Sequence, residues 1–188
     1  MSFVALLGRA EAAQPRWYIG RIPDTPFDIP LVDKSLIPRQ FHRHNVPYAG
    51  NEPVGTIIIN KRERFLYYVE TPGRAVRYGI AVGRDGARWT GEAIVGRRAK
   101  WPSWTPTANM RRRNPNLPQR MPGGPQNPLG ARALYLYRDG RDTLFRIHGT
   151  NEPWSIGTAA SSGCIRMLNE HVLELYGTVR NGARVIVL

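Results

Sequence analysis

The 188-residue chain has a single cysteine, Cys164. One thiol cannot form an internal disulfide and makes a poor metal site. Acidic residues are also scarce, 14 Asp and Glu against 27 Lys and Arg, for a formal net charge of +13. No apolar run reaches the roughly 18 residues of a membrane-spanning helix. Of the four histidines, His42 and His44 stand at i, i+2 in a proline-rich segment. Without a third ligand nearby they read as solvated loop residues, and no metal is expected. Such a charge excess calls for an anionic partner. Nucleic acid is one, but zinc-finger spacing, an aromatic RNA-binding signature and a helix-turn-helix are all missing. The basic residues lie scattered over turns, so charge alone does not separate nucleic acid from an anionic envelope polymer.

Length and a hydrophobic content of 41% suit one globular domain. Residues 1–14 hold a short apolar stretch and a small-residue patch with Ala-x-Ala spacing, but no basic start. They read either as the remnant of a signal peptide or as a frayed amphipathic terminus. Residues 15–53 carry seven prolines and read as an extended arm or linker, with 15–44 as the arm proper.

The informative segment is 147–167. Residues 143–147 alternate and are rich in β-formers, so they predict a strand with His148 at its end. Gly149 then allows a sharp turn. Cys164 follows His148 by 16 residues and is preceded by Ser161, Ser162 and Gly163. Glycine there lets backbone N–H groups converge as an oxyanion site requires. Asn169 is a candidate N-cap for a helix over 170–176, stopped by Gly177. The order is strand, His, loop, Cys, helix. A thiol, an imidazole and the guanidinium of Arg166 are the parts of a cysteine acyl-transfer site. The competing reading makes Cys164 a small buried hydrophobe and His148 a satisfied polar group.

The ordered run His148-Gly149, then Ser161-Ser162-Gly163-Cys164-Ile165-Arg166, resembles the L,D-transpeptidase catalytic domain family (YkuD-type, ErfK-like). Many members carry a second His directly before the Gly-Cys; here Ser162 stands there, which leaves His148 as the motif's only base. Strand-like runs at 54–60, 64–70, 75–83, 92–97, 133–137 and 183–188 extend the resemblance over residues 45–188. The implied fold is mainly β with short helices, a mixed β-sandwich. A long Pro/Arg-rich loop at about 101–130 would cap its active site. That loop has seven prolines, and Trp101 and Trp104 are candidates either for walls of a substrate channel or for anchors by burial.

The resemblance implies a cofactor-free cysteine L,D-transpeptidase of the periplasm or cell envelope, acting on the tetrapeptide stems of peptidoglycan. Cys164 would be the nucleophile, paired as thiolate with the imidazolium of His148, and the Gly149 carbonyl would orient that ring. Backbone N–H groups of Gly163 and Cys164 would hold the oxyanion, while Arg166, Ser161 and Ser162 would contact substrate. D-Ala would leave a thioester. The acceptor is then a stem amine, an amine of an outer-membrane protein, a free D-amino acid or water. Alternatives are an L,D-carboxypeptidase and a catalytically silent peptidoglycan-binding module of the same fold. Sortases place their His much farther upstream, and papain-like wall hydrolases put Cys before His.

Overall fold

β-formers dominate the apolar runs of this chain, and strands form most of its core. The computed structural model describes residues 17–83, 89–160 and 164–188. The candidate signal-peptide remnant, Ser161, Ser162 and Gly163 lie outside the described residues. Strands β1 (Tyr18–Ile22) and β2 (Ile29–Val32) form an antiparallel hairpin. Two 3-10 turns lead to β3 (His44–Pro47), then β4 (Ile57–Asn60), β5 (Phe65–Thr71), β6 (Arg74–Gly79), β7 (Ala81–Gly83) and β8 (Gly91–Lys100). A short helix, α1 (Ala108–Arg113), precedes β9 (Arg132–Arg138) and β10 (Arg141–His148). The two-residue strands β11 (Ala159–Ala160) and β12 (Ile165–Arg166), helix α2 (Asn169–Thr178) and β13 (Arg184–Val187) complete the order.

Eleven strands join in the order β11-β7-β12-β10-β9-β8-β13-β4-β5-β6-β3. The pairs β10–β12, β11–β7 and β13–β4 are parallel and the others antiparallel, so the sheet is mixed. A twisted sheet this wide folds back on itself. Ile57, Leu66 and Tyr78 from one half therefore share a core with Leu134, Ile147 and Ile165 from the other, and with Val172 and Leu175 of α2. This is the expected mainly β, sandwich-like fold.

Three expectations change in detail. The strand read over 75–83 breaks at Ile80, so that β6 pairs with β5 and β3 while β7 pairs with β12 and β11. A Cβ on Gly79 would come within 2.4 Å of the Phe41 carbonyl, so glycine lets the chain cross between the two halves there. The proline-rich segment is not simply extended: it contains the β1–β2 hairpin and an edge strand, β3, on β6. Helix α2 is capped by Leu168, without a side-chain bond, and runs through Gly177 to Thr178. Asn169 falls inside the helix because its side chain is used elsewhere, as shown below.

Helix α2 also buries His171 against the ring of Tyr78, 5.6 Å between centroids, with neither ring nitrogen hydrogen-bonded. Burial, aided by Lys34, His42 and Arg43, pushes its pKa down to about 3. Below the ordinary histidine value the unfolded chain binds a proton that the folded chain refuses, so stability is lost as pH falls from about 6.5 towards 3. Each such histidine costs about 2 kcal/mol at pH 5. Neighbouring Glu170, its carboxyl pushed up by burial, acts in the opposite sense. The contribution is therefore read as a difference: thermal melts between pH 7 and 5 should show a clearly smaller loss of Tm for His171→Leu than for the wild type.

Candidate active site

The candidate pair, His148 and Cys164, is brought together by one short parallel ladder. In β10 and β12, Ile147 faces Ile165 and His148 faces Arg166. Both isoleucines are buried in the core. Side chains alternate along a strand, so His148, Arg146, Arg166 and Cys164, one residue before β12, project from the opposite face. His148 and Cys164 line one cavity of about 830 Å³, and Trp101 and Trp104 line it too.

His148 is 3% exposed, and its Nδ1 lies 2.6 Å from the carbonyl oxygen of Gly149. A carbonyl only accepts, so the Nδ1 proton is donated to it and Nε2 keeps the lone pair. Gly149 is needed for close approach. A Cβ there would lie 2.1 Å from Oδ1 of Asn169. That oxygen accepts from the backbone N–H groups of Ala131 (3.0 Å) and Thr150 (3.2 Å), while Asn169 Nδ2 donates to the Thr150 carbonyl (2.9 Å). One buried amide therefore holds the turn after His148 against the start of β9. This is why Asn169, read as a helix cap, does not cap.

Burial is the main influence on the imidazole. Against the raising effect of the Gly149 carbonyl, and with Arg166 and Arg146 adding to it, burial brings the pKa down to about 4. By itself this environment favours the neutral imidazole near neutrality. The half-buried Cys164 has its Sγ 3.5 Å from the carbonyl oxygen of Leu144. Leu144 has φ 64° at the irregularity between Asp142 and Arg146 in β10, a rare conformation for a branched-chain residue. Asp142 Oδ1 and Thr143 Oγ1 accept from the N–H groups of Leu144 and Phe145 and hold it.

Arg166, expected to contact substrate, is buried, forms an ion pair with Glu152 through Nη1, and is not among the cavity walls. Gly163, Ser161 and Ser162, proposed around the oxyanion and substrate, lie outside the described residues.

The YkuD family profile, L,D-transpeptidase catalytic domain, matches residues 55–187. The chain belongs to this family. It is 37% identical over 141 residues to the probable L,D-transpeptidase ErfK/SrfK of Escherichia coli (strain K12), which covers 70% of this chain and 43% of that protein. The chain thus spans less than half the length of that curated relative. A solved Brucella melitensis structure, titled a probable carnitine operon oxidoreductase, is 47% identical, with a TM-score of 0.56 over 83% of this chain and 99% of that one. The carbamoyl enzyme formed by Ldtfm with avibactam shares the fold at 17% identity, TM-score 0.53, over 73% of this chain and 49% of that one.

In this L,D-transpeptidase domain the cavity has residues that sequence reasoning did not single out: Arg97, Tyr135, Arg146 and Leu144. Alternation along β8, β9 and β10 would have put the first three on one face, but the bulges that set their register have no clear sequence sign. The flap closes through reciprocal 2.8 Å backbone bonds between Trp104 and Met121. Trp101 is both wall and anchor: its ring packs edge-on against Phe27 and its Nε1 donates to Asp24 (2.8 Å). Asp24 also takes both guanidinium nitrogens of buried Arg132, at 2.7 and 2.9 Å, and these contacts hold its carboxyl below the ordinary range. Asp24→Ala leaves a buried guanidinium unpaired and frees the root of the flap. It should cost about 3 kcal/mol in denaturant unfolding and shift the tryptophan emission of the folded state; unchanged values of both would refute the anchor.

Proposed function

We propose that this domain is a cysteine acyltransferase of the cell envelope that acts on peptidoglycan tetrapeptide stems through a thioester on Cys164. The observation that carries this reading is that His148 and Cys164 open onto one cavity, with the imidazole oriented by the Gly149 carbonyl and its Nε2 left as acceptor. The family relationship supports the choice of substrate. The excess of basic residues suits a substrate rich in carboxylates.

In this scheme the pair rests as thiol and neutral imidazole, as the lowered His148 pKa favours, and that sets the order of events. Nε2 of His148 takes the thiol proton as sulfur attacks the carbonyl of the stem's third residue, so a transient imidazolium replaces a standing ion pair. The S–C bond forms, and backbone N–H groups at Gly163 and Cys164 stabilise the oxyanion. The C–N bond to D-Ala then breaks and the imidazolium returns its proton to the departing amine. The thioester passes to an amine in transpeptidation, or to water in the carboxypeptidase variant of the same chemistry. Within this scheme Arg166 tunes His148 from its pair with Glu152 and does not bind the substrate.

Incubation with disaccharide-tetrapeptide should yield released D-Ala and an acyl adduct on Cys164 by intact-mass measurement. Cys164→Ala should give neither, and D-Ala release by that variant would refute the mechanism. The low-pH limb of the acylation rate should lie near 4, the base being active only above its own pKa, in place of the ordinary histidine value near 6.5. His148→Ala should lower the rate by about a hundredfold or more and abolish that limb.

A further inference from the structure

A basic row crosses the cavity floor and ends at the nucleophile. In the pairing of β8 with β9, Arg97 is the register partner of Tyr135; in that of β9 with β10, Tyr135 is the partner of Arg146. Continued through the β10–β12 ladder, the row reaches Cys164, one residue before the Ile147–Ile165 pair. Thus Arg97, Tyr135, Arg146 and Cys164 stand in line across four adjacent strands, and all four line the cavity.

The two arginines differ in their partners. Arg146 lies 4.5 Å from the centroid of the Tyr135 ring, and both its terminal nitrogens donate to Asp142, at 2.9 and 3.0 Å. Its fork is committed to Asp142. Arg97 lies 3.5 Å from the same centroid. Among the described residues its guanidinium has no hydrogen bond or ion pair within the protein, and it rests on the ring. The face of a guanidinium can rest on an aromatic ring while its edge, with its N–H donors, points elsewhere. Arg97 itself lines a cavity whose described walls contain no Asp or Glu. A preordered, unspent fork of this kind is a carboxylate receptor.

Distance selects which carboxylate. Neighbouring strands lie about 4.8 Å apart, so the guanidinium, drawn over β9, sits about 10 Å along the row from Cys164. A group bound there is about two extended residues from the acylated carbonyl, allowing for the reach of the thiol. We infer that Arg97, presented on Tyr135, binds a carboxylate of the donor stem upstream of the scissile bond and thereby selects acidic over amidated stems. Two carboxylates have this reach: the one on the side chain of the third-position diamino acid, and the free one of the second-position glutamate. The inference rests on the acyl-transfer reading above.

The test compares synthetic tetrapeptide stems that are fully acidic, amidated at the third-residue side chain, or amidated at the second residue. With the 188-residue wild-type chain, one amidation should lower kcat/KM for D-Ala release about tenfold, mostly through KM, and its position names the carboxylate. Arg97→Gln should lose about the same factor on the acidic stem and become indifferent to that amidation, whereas Arg97→Lys should recover part of the preference. Arg97 is exposed, so the variants should keep the wild-type melting temperature and rate of Cys164 alkylation. A wild type without preference, or an Arg97→Gln that keeps the wild-type preference, overturns the assignment while leaving acyl transfer intact. Absence of D-Ala release from every stem with wild-type protein overturns the acyl-transfer reading, and this assignment with it.

Discussion

The site depends on two residues of parallel pairing between β10 and β12. Residues 147 and 165 are held side by side as buried core, and that alone places His148 and the thiol, far apart in the chain, on one face. So short a ladder would not form by itself. It survives because β9 supports β10 from the other side and β7 supports β12, and because Met167 N–H bonds the His148 carbonyl beyond the last pair. A slip of β12 by one residue would turn Cys164 into the core and away from the face that carries His148. Register is therefore secured by the same isoleucines that stabilise the fold.

That placement has an electrostatic consequence. A histidine taken this far from water, with Arg166 opposite it and Arg146 near it, meets two positive charges and a desolvation penalty. The Glu152–Arg166 pair moderates this field, since a lone buried guanidinium would disfavour the imidazolium even more. The Gly149 carbonyl is the countervailing group, and it stabilises the charged ring only when a proton arrives. The buried site therefore disfavours a charged ring unless a proton is delivered to it.

Much of this was legible in the order of residues, and what was not has a common cause. The run from Ile147 to Met167 displayed the His, its glycine and the thiol, with a strand before and a helix after, because these are local patterns. Strands such as 133–137 and 183–188 were visible by composition, and the register that aligns them was not. Arg97, Tyr135 and Arg146 belong together only through two irregularities: one in β8 between Val95 and Arg97, and one in β10, where Leu144 adopts φ 64° and Asp142 and Thr143 accept from the N–H groups of Leu144 and Phe145. Asn169 looked like a cap because Asn at a helix start usually is one. Its real partners, Ala131 and Thr150, are set by tertiary packing. Arg166 fitted a substrate clamp by residue type, and only the fold shows Glu152 beside it.

The least legible part was the proline-rich segment before residue 55, which composition presents as a linker. Its hairpin carries Asp24, and that carboxylate meets Trp101 at the entry to the flap and Arg132 just after its exit. No neutral side chain could accept from an indole and both arms of a guanidinium while balancing a buried charge. Farther along, Tyr18 donates to the Asn151 carbonyl (3.3 Å) and Trp17 packs on Trp154, so the loop following His148 is braced by the same segment. The matched family region starts at residue 55, whereas the frame that positions the walls of the cavity starts with the hairpin. The hairpin therefore belongs to the working unit, and a chain trimmed to the matched boundaries would keep the nucleophile but lose the carboxylate that roots the flap.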